Sequence, residues 1–209
     1  VLQRLQQDGL NLSPVADQRS LIRRTYLDLI GLPPTPEELA SALSLSHEDL
    51  VDRLLASPHY GERWGRHWLD VAGYADSEGY TEADTERQWA WRYRDYVIGA
   101  LNDDMPFDRF IREQLAGDEM VPFPHKEMSP DKIAKLTATG FLRMSPDGTG
   151  SGGIDKDLAQ NQVISETVKI VADSLLGLTV DCARCHDHRY DPIPQRDYYG
   201  LRAVFEPAL

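Results

Sequence analysis

Cysteine is nearly absent from this chain: Cys182 and Cys185 are the only two in 209 residues. No other thiol competes for whatever chemistry that pair carries. Positive charge is also scarce, with 22 Lys and Arg against 34 Asp and Glu and a formal charge of -12. That balance argues against nucleic acid or an anionic membrane as a partner, because both need a basic face. No run of about 18 apolar residues occurs, so hydropathy offers no membrane-spanning helix. No secretory signal is recognisable, and the chain opens on Val1-Leu2-Gln3-Arg4-Leu5 without a methionine. The expectation is a processed protein, or a domain excised from a longer one. No stretch of four or more residues alternates cleanly as a half-buried strand would, and no internal repeat is visible.

What remains is helical pattern with strong punctuation. A hydrophobic content of 41% supports a packed core. Asp17 is placed to cap a helix carrying Leu21, Ile22, Tyr26, Leu29 and Ile30, which Gly31 ends before Pro33-Pro34. Thr35-Pro36-Glu37-Glu38 reads as a capping box with proline at the first helical position. Ser46 and Ser57-Pro58 open two more helices. In the second of these, Tyr60, Trp64, His67, Trp68 and Val71 recur at helical spacing. Further helical patterns cover Trp91 to Leu101, Pro106 to Leu115, Asp131 to Thr139, Val163 to Leu175 and Arg196 to Phe205. Asp76 to Gln88 and Ser145 to Gly153 read as loops. The fold expected is mostly α, a multi-helix single domain over residues 1–209, with a Cys-x-x-Cys-His segment near its C-terminus.

That segment is Cys182-Ala183-Arg184-Cys185-His186. Two thiols two residues apart can each reach one vinyl group of a single porphyrin, and the adjacent histidine then falls under the iron. One covalent haem c is the cofactor this spacing predicts. Haem c is attached outside the cytoplasm in bacteria, so the expected location is periplasmic or extracellular. Two rival chemistries use the same residues. Cys182, Cys185 and His188 with one distant ligand suit a tetrahedral zinc. A bare Cys-x-x-Cys suits a redox dithiol or a small disulfide, although no βαβ pattern surrounds it.

If haem is bound, His186 is the proximal ligand, and its second ring nitrogen is expected to donate to a carbonyl or carboxylate. For the opposite face of the iron, His67 is the first choice and Met144 the second. The plainer alternatives are a hydrogen-bonded core histidine and ordinary core packing. Met105, Met120, Met128, His47, His59 and His125 rank lower because their contexts are polar or loop-like. His188 is tethered to the proximal side and suits a hydrogen-bonding or surface role. Arg184 and Arg189 lie nearest to pair with haem propionates. In Tyr74-Ala75-Asp76-Ser77-Glu78-Gly79-Tyr80, the carboxylates of Asp76 and Glu78, with Glu82 and Asp84 beyond, suggest an oxygen-rich cation site. They lack the spacing of a calcium loop, and a solvated acidic loop is the plainer reading. Tyr80, Trp89 and Trp91 suggest a sugar-binding or haem-edge surface, against the plainer alternative of core packing.

Several segments resemble one family along nearly the whole chain. They include residues 29–38 (Leu-Ile-Gly-Leu-Pro-Pro-Thr-Pro-Glu-Glu), 54–64, 66–70, 91–97, 114–118, 139–143, 177–188 and 190–199. The sequence resembles the cytochrome-c-like domain of large secreted proteins of planctomycete type, a domain of unknown function. The resemblance implies a haem c domain, extracytoplasmic, usually set between other modules, and it supplies no proven reaction. Gly73 stands where the family leads one to expect arginine, and Met144 where one expects leucine. The first reading is electron transfer to a redox partner protein or an adjacent domain. The alternatives are a haem oxidoreductase with an open distal site, acting with neighbouring modules on a small oxidant or a polysaccharide, and a zinc-binding structural module. The oxidoreductase would draw acid-base groups from Asp70, Asp76 and His67.

Overall fold

A computed structural model describes residues 1–79, 84–150 and 155–208 of the chain. Among these the structure is helical, with no strand and a single isolated antiparallel bridge between Ser77 and Glu86. The chain divides into two compact units, Val1–Arg63 and Trp64–Leu209.

The first unit holds α1 (Leu2–Gln7), α2 (Gln18–Leu29), α3 (Pro36–Ala42) and α4 (His47–Leu55). Its helices begin where side chains satisfy the free N–H groups of the first turn. Asp17 accepts from the Ser20 N–H, and Ser46 from the Asp49 N–H. At α3 the capping box is complete. Thr35 Oγ1 accepts from the Glu38 N–H at 3.2 Å, and the Glu38 carboxylate accepts from the Thr35 N–H at 2.8 Å. Gly31 ends α2 in the left-handed conformation at φ +75°, which favours glycine, and a Cβ there would have to displace the Arg63 side chain, whose Cδ stands 2.7 Å away. Ile22, Tyr26, Ala42, Leu50 and Leu54 form the core of this unit. The Tyr26 hydroxyl accepts from Arg53 at 2.8 Å, which satisfies its buried oxygen.

The second unit takes the remainder of α5 (Pro58–Ala72), then α6 (Ala90–Asn102), α7 (Phe107–Ala116), α8 (Pro130–Ala138), α9 (Lys156–Val171) and α10 (Gln195–Phe205). A 3₁₀ turn over Thr139–Arg143 follows α8, and a wider turn over Ala172–Leu176 prolongs α9. Phe110, Phe141, Val97, Val168, Val171, Ala172 and Tyr198 belong to one continuous core. A polar knot runs through it. Trp68 Nε1 (α5) donates to Gln114 Oε1 (α7) at 2.9 Å, and the Tyr93 hydroxyl (α6) donates to the same oxygen at 2.6 Å. Burial pushes the Tyr93 phenol far up, so it keeps its proton and donates.

Most helix boundaries follow the punctuation, but α9 begins at Lys156, before the pattern read from Val163, and α5 faces differently from its aromatic stripe. Trp64, His67 and Val71 are exposed, while Ala72 is fully buried and Trp68 and Leu69 are half-buried. The reason is Gly65. It is buried, and a Cβ there would stand 3.3 Å from the Ile98 side chain. A close helix approach through glycine carries no hydrophobic signal, so the stripe read from large side chains is rotated away from the true packing face.

Candidate functional site

The Cys-x-x-Cys-His segment is built by one turn of 3₁₀ helix, Asp181–Arg184. Gly177, left-handed at φ +63°, stops the helical run that precedes it. A 3₁₀ turn has three residues per turn, so positions three apart share a side. Val180 and Ala183 take the inner side at 4% and 0% exposure. Cys182 and Cys185, offset by two, take the outer side, and both are exposed free thiols.

The carbonyl of Arg184 is held from α10. Gln195 Nε2 donates to it at 3.1 Å and the Tyr199 hydroxyl at 3.2 Å. These two residues lie one turn apart on α10. The N-terminus of α10 has no capping side chain of its own, since Pro194 occupies the cap. Asp187 supplies the missing acceptor, taking the Gln195 N–H at 2.8 Å. The residue after the motif histidine thus caps the helix that holds the motif.

The two histidines differ in tautomer. His186 is exposed, and its Nδ1 lies 2.8 Å from the Asp187 carbonyl oxygen. A carbonyl only accepts, so Nδ1 carries a proton, and in the neutral ring Nε2 has the lone pair. His188 Nδ1 instead accepts the N–H groups of Tyr190 at 3.3 Å and Asp191 at 2.9 Å. That nitrogen is occupied in closing the loop, and the Asp191 carboxylate 3.3 Å away forms no ion pair with it in this state. Among the described residues no three His, Cys, Asp or Glu side chains come together as a metal-binding group. The set Cys182, Cys185 and His188 is not drawn together in that way.

The other expected residues are placed as follows. Arg184 is half-buried, and Arg189 lies over the Tyr190 ring at 5.5 Å from its centroid. His67 is exposed, with its ring 5.4 Å from that of Trp64. Met144 is 5% exposed and packs in the main core, while its carbonyl accepts from Arg87 at 3.2 Å. Asp70 pairs loosely with Arg66 at 3.8 Å.

The acidic loop spends its carboxylates separately. Asp76 accepts from the Tyr74 hydroxyl at 2.6 Å, and that phenol is pushed up to about 12, first by burial and then by this bond. Glu78 accepts from Arg87 through both Nε and Nη2 at 3.1 Å, and Asp84 accepts from the Gly79 N–H at 3.0 Å. Tyr80 and Glu82 lie outside the described residues. Core packing fails for the two remaining aromatics. Trp89 is 60% exposed and Trp91 is 42% exposed, because Trp89 stands at the cap of α6 and Trp91 in its first turn.

Sequence reasoning missed Asp187, Gln195 and Tyr199 as the residues that hold the motif. One signal was available: a proline at the start of α10 needs a capping acceptor from elsewhere, and Asp187 is a nearby carboxylate.

Among the described residues the chain is mostly helical and bears an exposed Cys-x-x-Cys-His turn. The chain belongs to the PSCyt2 family, described as a protein of unknown function (DUF1549), whose family model matches residues 1–208. No curated protein and no solved structure matches it. No helix among the described residues is long and apolar enough to cross a membrane.

Proposed function

We propose that this chain is a c-type haem domain, in which Cys182 and Cys185 hold one haem covalently and His186 is the proximal ligand. The observation that carries the reading is the hydrogen bond from His186 Nδ1 to the Asp187 carbonyl, at 2.8 Å. It leaves Nε2 as the free, ligating nitrogen and fixes the ring by a second partner, as metal-bound imidazoles require. Three further features fit. Both thiols are exposed and unpaired on one side of a single turn. Leu176, Leu178 and Tyr190 leave apolar surface exposed before and after the motif, which a bound macrocycle would cover. Arg184 and Arg189 supply guanidinium groups for the propionates.

Haem held in this way supplies a one-electron couple, and the chain passes electrons to a redox partner protein or an adjacent domain. The domain works outside the cytoplasm. His67 is our choice for the sixth ligand ahead of Met144, because its imidazole is exposed whereas Met144 is enclosed in the core.

The test is the intact mass of the chain expressed with the cytochrome c maturation machinery. The expected mass exceeds that of the polypeptide by one haem, and replacing both Cys182 and Cys185 with serine abolishes the increment. An unmodified mass in correctly matured material contradicts the proposal.

A further inference from the structure

A second surface of the Trp64–Leu209 unit carries recognition chemistry unrelated to the cysteines. A cleft of about 570 Å³ is lined by Glu78, Glu86, Arg87, Gln88, Trp89, Arg92 and others. A neighbouring groove of about 380 Å³ is lined by Trp91, Arg92, Ile133 and Thr137 among others. Arg92 and Thr137 border both, so the two form one extended surface.

Arg92 sets its character. Its guanidinium lies over two indoles, 4.9 Å from the Trp89 centroid and 5.4 Å from that of Trp91. Among the described residues no carboxylate pairs with it, whereas Arg87 is committed to Glu78 and Arg143 to Asp147. Stacking keeps the guanidinium plane fixed and leaves its edge N–H groups for a ligand. Trp89, 60% exposed, adds a broad flat apolar face. Gln88 and Glu86 are exposed at the same cleft and offer an amide and a carboxylate, groups suited to hydroxyls.

We propose that this surface binds an acidic oligosaccharide of the uronate type. The C–H face of a sugar ring lies on Trp89, the ring carboxylate pairs with Arg92, and hydroxyls meet Gln88 and Glu86. The adjoining groove past Trp91 takes the next sugar, which is why an oligomer fits better than a single ring. A nucleic acid needs a row of cations along its phosphates, whereas Arg92 is the one guanidinium among the described lining residues not already paired with a carboxylate. A purely apolar peptide leaves the amide, carboxylate and guanidinium without partners.

The test is tryptophan fluorescence and calorimetric titration of the full chain with hexagalacturonate, hexamannuronate and hexaguluronate, with maltohexaose as the neutral counterpart. At least one uronate is expected to bind, more tightly than maltohexaose and more weakly as salt rises. Arg92→Gln is expected to weaken it by about tenfold or more, the loss of a charge-assisted contact. Trp89→Ala is expected to weaken it by a similar factor. Both residues are exposed enough for the variants to keep the wild-type circular dichroism. The proposal is overturned if none of the three uronates binds at millimolar concentration. It is equally overturned if maltohexaose binds as well as the uronates, or if neither variant changes the affinity. Because this surface is independent of Cys182 and Cys185, the result does not depend on haem attachment.

Discussion

His186 and His188 stand two residues apart and hold opposite tautomers, one donating from Nδ1 and the other accepting there. That difference separates a ligand from a structural residue more sharply than spacing does. If His186 is the proximal ligand, replacing it with alanine leaves the thioethers intact but removes low-spin character from the spectrum, whereas His188→Ala leaves the spectrum unchanged and loosens the loop. Met144 and His67 separate in the same way. Met144→Ala is expected to cost about 2–5 kcal/mol in urea unfolding, because it empties a site in the main core. His67→Ala, at an exposed position, is expected to cost almost nothing. Ligation by His67 appears instead as a conversion from low to high spin in His67→Ala, and an unchanged spectrum removes it from the sixth position. Tyr198 makes a further residue-level case. Its hydroxyl is buried without a hydrogen-bond partner among the described residues. Tyr198→Phe removes that desolvated group at little change in shape, so it is expected to be neutral or stabilising by up to about 1 kcal/mol. Clear destabilisation would mean that the hydroxyl has a partner in solution.

At the scale of elements, α5, α6 and α7 are tied by one oxygen, Gln114 Oε1, which accepts from Trp68 and Tyr93. Gln114→Ala leaves the Tyr93 hydroxyl without that acceptor in the core. The expected cost is about 2 kcal/mol or more, read as a lower urea midpoint. A variant as stable as the wild type would show that the knot contributes nothing. The starts of α2, α3 and α4 were legible in the sequence because a side chain close in sequence makes each cap, whereas the equally local Asp155 cap of α9 was passed over. Asp17, Thr35 with Glu38, and Ser46 all cap as the pattern indicates. The α5 face was not legible, because Gly65 packs closely without adding hydrophobicity. The capping of α10 by Asp187 was hidden for another reason: the acceptor lies eight residues before the N–H it takes. Within the motif, the residue types were legible but the outward turn of both thiols was not. It depends on Val180 and Ala183 being drawn inward, and only the packed structure decides that.

At the scale of the molecule, the excess of acidic groups makes stability depend on pH. Burial pushes the Asp147 carboxyl up, but hydrogen bonds from Thr149 and the charges of Arg143 and Arg87 outweigh it and hold the group below its ordinary value. A depressed folded pKa stabilises the fold fully above the unfolded value, near pH 4, and loses that stabilisation as pH falls through the folded value. Asp147→Asn is therefore expected to flatten the fall in urea midpoint below about pH 4, and an acid limb identical to wild type would contradict this. The loop joined here is also the one Arg87 fastens, from Glu78 to the carbonyls of Met144 and Ser145. The exposed motif turn and the cleft at Arg92 thus belong to the same unit but rest on separate residues, which lets the two proposals fail independently. The measurement that tests the central claim most directly is the absorption spectrum of chain made with the maturation machinery, oxidised and reduced, followed by a pyridine haemochrome assay. A Soret band with a c-type haemochrome that survives acid-acetone extraction is the predicted result, reduced to single-thioether character in Cys182→Ser or Cys185→Ser. A colourless protein, or haem that extracts freely, contradicts it.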